Sequence, residues 1–192
     1  MNLSALSTVQ IAVIIAVVVL LVIGIAILFS VRKRKTERLR TQFGGAEYNR
    51  AVKEGGSRQK AEAVLDKRAD RVESFHIQPL GPGNRARFVE SWRGVQARFV
   101  DGPGGAVAEA DQLLRDVMST RGYPVSDFEQ RSADISVDHP LVLEHYRSGH
   151  EIAVRQTQGQ ASTEDLRQAM IHYRTLFEEL VGEPELARTK TA

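Results

Sequence analysis

No cysteine occurs among the 192 residues. Disulfides, thiolate metal sites and cysteine nucleophiles are excluded together, and the composition fits a reducing compartment. An excess of charge of either sign is also lacking. Lys and Arg total 26 against 24 Asp and Glu, a formal charge of +2. That balance hides an asymmetry. Residues 32–60 carry ten Lys/Arg and three Glu, whereas 61–192 carry sixteen and twenty-one. The basic character belongs to one short segment, and the remainder is mildly acidic. The length suits one soluble domain and an accessory segment.

Charge is absent altogether from "IAVIIAVVVLLVIGIAILF", Ile11 to Phe29, which also lacks any polar side chain. At about 1.5 Å per residue such a helix is roughly 30 Å long, the thickness of a bilayer's hydrocarbon core. A cleaved signal peptide would need a positive start and a shorter apolar run. The preceding "MNLSALSTVQ" has no Lys or Arg, and the charges come afterwards in "RKRKTERLR". By the positive-inside rule, the N-terminus faces outward and the C-terminal domain lies in the cytoplasm. Ala12 and Ala16 form a small-xxx-small pair, and Gly24 is a lone glycine; both leave self-association open.

Strand alternation is missing beyond the span, and so is any fixed-period repeat. The reading is all-α: a single N-terminal transmembrane helix followed by a cytoplasmic helical bundle. Residues 1–10 form a short extracytoplasmic N-terminus and 11–31 the transmembrane helix. A basic juxtamembrane helical stalk and linker occupies 32–83, the bundle 84–182 and a flexible tail 183–192. The span is expected to run on to Gly44–Gly45, with "AEYNRAVKE" following and a second break at Gly55–Gly56. The next helix should bury Ala61, Val64, Leu65, Ala69, Val72 and Phe75.

In the bundle, Phe88, Trp92, Val95 and Phe99 recur at helical spacing. After a start at Asp101 or Gly102 with Pro103, the buried face runs Ala106, Val107, Ala110, Leu113, Leu114, Val117 and Met118. Gly122 and Pro124 stop that helix. "SDFE" at Ser126–Glu129 is a capping box, Asp138 with Pro140 opens a histidine-bearing helix, and Ser162 with Asp165 caps the last one. The last helix repeats Leu166, Ala169, Met170, Tyr173, Leu176, Phe177, Leu180 and Val181 in threes and fours.

Chemical motifs are scarce. "GPGG" lacks the G-K-[ST] ending of a phosphate loop, and neither G-x-S-x-G nor S-x-x-K is present. Three of the five histidines, His139, His145 and His150, fall in "HPLVLEHYRSGH". On one helix His139 and His150 share an azimuth but sit about 16 Å apart along the axis, too far for one ion. His145 is expected on the buried face, with His172 or Tyr173 as hydrogen-bond partners, a buried polar cluster. No catalytic residue, metal or cofactor is expected, and the protein is read as no enzyme. Most carboxylates are expected on solvated faces.

The membrane-proximal basic residues Arg32, Lys33, Arg34, Lys35, Arg38 and Arg40 act first as a topology signal, with anionic lipid as a candidate partner. Nucleic acid is disfavoured, since the segment has few interleaved aromatics and precedes an acidic domain. A candidate interaction surface comprises Tyr123 and Phe128 in a loop, together with Arg87, Arg93 and Arg98 on the Arg-bearing face of residues 85–98. The stretch from "RFVESW" to "SVDHP", with "RGYP" within it, and "TEDLRQAMIHYRTLFEELV" resemble an uncharacterised family of bacterial single-span membrane-anchored helical proteins. The resemblance spans about residues 40–181. It implies a bacterial source and the inner membrane, and it adds no site. The functional expectation is a non-enzymatic protein-interaction or scaffold module. Its alternatives are an anionic-lipid-binding membrane-surface protein and, least favoured, a ligand- or metal-binding bundle.

Overall fold

The computed structural model describes residues 8–124 and 126–182, with side chains from residue 13 onward. The expected tail, and most of the expected N-terminal segment, lie outside the described residues. Seven α-helices and no strand are found among those described. In chain order they are α1 (Thr8–Gly55), α2 (Arg58–Glu73), α3 (Pro82–Arg98), α4 (Pro103–Arg121), α5 (Phe128–Asp138), α6 (Leu143–Thr157) and α7 (Thr163–Gly182).

The first helix is long and apolar enough to cross a membrane, and its apolar window touches nothing else in the fold. Beyond it α1 is not straight. Gly44 has φ 69° and ψ 162°, a conformation that only glycine adopts without strain. The bend is sharp. Thr36 and Tyr48 would stand about 18 Å apart along a straight axis, yet both hydroxyls donate to one Glu62 oxygen, at 2.6 and 2.8 Å. Residues 45–55 therefore double back along the preceding turns. Gly56, also at positive φ, then reverses the chain into α2, which Ser57 caps by accepting from the Lys60 N–H. A wall shared by Phe29 and Arg32 of α1 with Arg58 and Gln59 of α2 fixes the geometry. It brings the start of α2 level with the end of the apolar run, and α2 then climbs beside α1.

This three-pass element packs on α5, which links it to the rest. Farther along, α6 lies against α7, α7 against α4, and α4 against α3. Every residue expected on the buried faces of α4 and α7 is buried. The Trp92 ring stacks on Phe177 at 4.7 Å between centroids, and Gly122 ends α4 in the left-handed conformation. Ser162 and Asp165 form the expected reciprocal cap, with Asp165 N–H donating to Ser162 Oγ at 3.1 Å and Ser162 N–H to Asp165 Oδ2 at 2.8 Å.

Three local expectations change. Val64 is exposed and Phe75 lies half-buried past the end of α2, because α2 turns only the Ala61, Leu65, Ala69 and Val72 stripe inward. The cap of α5 is Asp127, whose carboxylate accepts from Gln130 N–H at 2.8 Å, in place of Ser126. His139 does not lie on the helix of His145 and His150. It caps the end of α5, and α6 begins only at Leu143. Pro140 cannot donate within a helix, so the junction stays a turn.

Candidate functional site at the membrane-proximal end

Doubling back brings sequence-distant cations together. A groove of about 690 Å³ opens between the first turns of α1 beyond the span and the start of α2. Phe29, Arg32, Lys33, Lys35, Arg40 and Arg58 line it, opposed by Glu37 and Glu62. Glu62 is occupied by the Thr36 and Tyr48 hydroxyls. Lys35 is paired with Asp66, and the Arg40 guanidinium lies over the Tyr48 ring at 5.9 Å. Arg32, Lys33 and Arg58 have no ion pair among the described residues and remain exposed. Of the six basic residues singled out from the sequence, the groove gathers Arg32, Lys33, Lys35 and Arg40. Arg34 and Arg38 stand outside it, and Arg58 was missed. Only the turn at Gly44 makes residue 58 a neighbour of residue 32.

A buried ionic clamp fixes the returning arm to the bundle. Glu47, 3 % exposed, accepts from Arg68 Nη1 at 2.6 Å and from Arg147 Nη1 and Nη2 at 2.6 and 3.2 Å. Arg68 belongs to α2 and Arg147 to α6, so one carboxylate ties three elements. Burial alone would raise the Glu47 carboxyl, but the hydrogen bonds and charges of Arg147 and then Arg68 outweigh it and hold it below its usual range. Asp134 of α5, likewise buried, accepts from Arg71 Nε at 3.1 Å and from Gln130 at 2.8 Å. Both carboxylates depart from the expected solvated positions. On the returning arm Glu47 shares a stripe with the buried Ala51, four residues on, and that spacing was the available signal.

The histidines do not converge. His139 is buried and meets Glu179 at 3.2 Å. The Phe128 and His150 rings stack at 3.6 Å between centroids. His145 and His172 do pair, Nδ1 to Nδ1 at 2.9 Å, one ring donating and the other accepting. Burial first, and the neighbouring His145 second, keep His172 below its ordinary pKa and favour its neutral form. Tyr173 is fully buried but belongs to another group. Its hydroxyl faces Asp111 of α4 without reaching hydrogen-bond geometry. Burial and that carboxylate push its pKa far upward, so it stays protonated. The expected three-residue cluster is thus two separate arrangements. No group of three or more potential ligands that could hold a metal occurs among the described residues.

The candidate interaction surface also divides. Tyr123 is 4 % exposed and donates to Asp138 at 2.9 Å, so it offers no surface. Phe128 is half-buried beneath His150 and Tyr146. The arginines stay outside: Arg87 over Phe88 at 5.0 Å, Arg93 beside Glu90 and Arg98 on Glu109. In the span Gly24 faces open space, while the Ala12 side chain lies outside the described residues.

Together the fold and this end define an all-helical chain with one candidate membrane span continuous with its folded part. Family models, curated proteins and solved structures return no match to it.

Proposed function

We propose that this chain is a non-enzymatic, single-span membrane protein that holds a rigid helical module against the cytoplasmic face of a bacterial inner membrane, as a docking scaffold for a protein partner. The observation that carries the reading is the passage of α1 from its apolar run into the core. Leu39 and Phe43, ten and fourteen residues past Phe29, are fully buried, and Glu47 is clamped from two other helices. A flexible tether would leave the domain free to tumble. This connection orients it, which suits a scaffold more than a ligand-diffusing enzyme.

The exposed Arg-bearing side of α3 and the exposed Val100 and Leu141 side chains are the surfaces left for a partner. Purification of the full chain from native membranes in mild detergent, beside residues 1–56 alone, tests the reading. A protein recovered stoichiometrically with the full chain only, and lost on Arg87→Ala/Arg93→Ala, is the expected result. Recovery of the bait alone in both preparations contradicts it.

A further inference from the structure

We infer that the groove between α1 and α2 is a headgroup site for an anionic phospholipid. The inference rests on the membrane-facing orientation proposed above and names the ligand of that end. Depth comes first. From Phe29 to Gly44 the helix climbs about 22 Å, and residues 45–55 bring the chain back about 16 Å. The Gly55–Gly56 turn and the start of α2 thus lie about 6 Å beyond the apolar run. The headgroup layer on each side of a bilayer is about 5–7 Å deep. Arg58, distant in sequence, therefore enters that layer from the side opposite Arg32 and Lys33.

Chemistry follows. The groove has an apolar edge at Phe29, where acyl chains begin, and three cations without acidic partners. The first turn of α2 supplies Arg58 and Gln59 to the wall, so the positive end of that helix adds to the attraction for a phosphate. Glu37, also in the wall, opposes a second anion and favours single occupancy. A lone basic run, as beside any span, would attract anionic lipid diffusely. Here the cations surround a bounded volume on two helices, and the fold must be intact for them to meet.

Native mass spectrometry of the detergent-purified full chain, with phosphatidylglycerol or phosphatidylcholine added, tests the site. One phosphatidylglycerol retained per chain, and no phosphatidylcholine, is expected. At about fivefold per cation, Arg32→Gln/Lys33→Gln/Arg58→Gln should weaken retention about a hundredfold. The matched triple Arg34→Gln/Arg38→Gln/Lys67→Gln should change it less than about fivefold. All six side chains are exposed, and unchanged circular dichroism melts verify folding; Arg58→Glu alone serves as a second variant if the triple melts early.

Equal losses from both triples would show diffuse attraction and overturn the site. Displacement of the lipid by equimolar glycerol 3-phosphate would make the ligand a free phosphate, which also overturns it. Failure of the parent chain to retain phosphatidylglycerol with its α1 hairpin intact would remove only this inference, whereas an opened hairpin would remove the membrane-facing module as well.

Discussion

Where α3, α4, α6 and α7 meet, the buried side chains are Trp92, Leu114, Met118, Leu176, Phe177 and Leu180. Where α1 meets α2 and α5, Leu39, Phe43, Leu65 and Ile135 share the interior with Glu47, Asp134 and the arginines that pair with them. The distal half is thus held by apolar burial, which neither salt nor mild acid weakens appreciably. The half beside the candidate span adds buried ion pairs to its apolar burial, and their removal from water is repaid only while every partner is present. Such pairs add little net stability over an apolar core, but they tolerate few arrangements. The half that adjoins the candidate span is thus the half that carries the geometry-dependent contacts.

Breaking the apolar side should have the largest effect. Leu114→Ala, at a fully buried position on α4, is expected to cost about 4 kcal/mol in urea unfolding, with faster hydrogen exchange throughout α3, α4 and α7. The clamp comes next. Glu47→Gln leaves Arg68 and Arg147 facing each other and should cost about 3 kcal/mol, with hydrogen exchange rising in α1 and α2 before α7.

The same carboxylate sets an acid dependence. Its folded pKa is lowered from 4.5, so its contribution is complete above about pH 4.5 and is lost as pH falls through the lower folded value. Acid titration followed by exchange should loosen α1–α2 first in the parent chain. That early phase should be absent from Glu47→Gln.

Gly44→Ala places a side chain at φ 69°, at an expected cost of about 2 kcal/mol, and shifts the arm towards a straight helix. Thermal melting and susceptibility to proteolysis at residues 45–57 would record it. The smallest effect belongs to the distal half's own titratable pair. The unfolded chain binds a proton at His172 near pH 6.5, whereas the folded chain resists it. Stability should therefore decline slightly as pH falls below 6.5, and His172→Ala should flatten that slope in urea unfolding at pH 7.5 and 5.5.

The helices of the distal half were legible in the sequence because apolar spacing there has one cause. Leu113, Leu114, Val117 and Met118 repeat at helical intervals since one face is buried along the whole length of α4. The break at Gly44 was legible too, but its angle was not. A glycine pair marks where a helix yields without saying which way the chain turns, and that direction decides whether Arg58 meets Arg32.

Glu47 escaped notice because a carboxylate in a short polar segment reads as solvated, and its partners lie 21 and 100 residues away. His139 was misplaced for a local reason, since the backbone turned at Pro140 before the next helix began. His172 was one of two partners expected for His145, and the pair forms where α6 lies against α7. Tyr173, one residue on, turns towards α4 instead.

The hairpin in α1 is the centre of the account, and the absence of cysteine makes it directly measurable. With spin labels at Arg34→Cys and Lys53→Cys of the full chain in nanodiscs, ten and nine residues either side of Gly44, dipolar broadening reports whether the two arms lie side by side. The account predicts a single short distance, with helix axes about 10 Å apart. A broad distribution, or a separation near the about 28 Å of a straight helix, would contradict it.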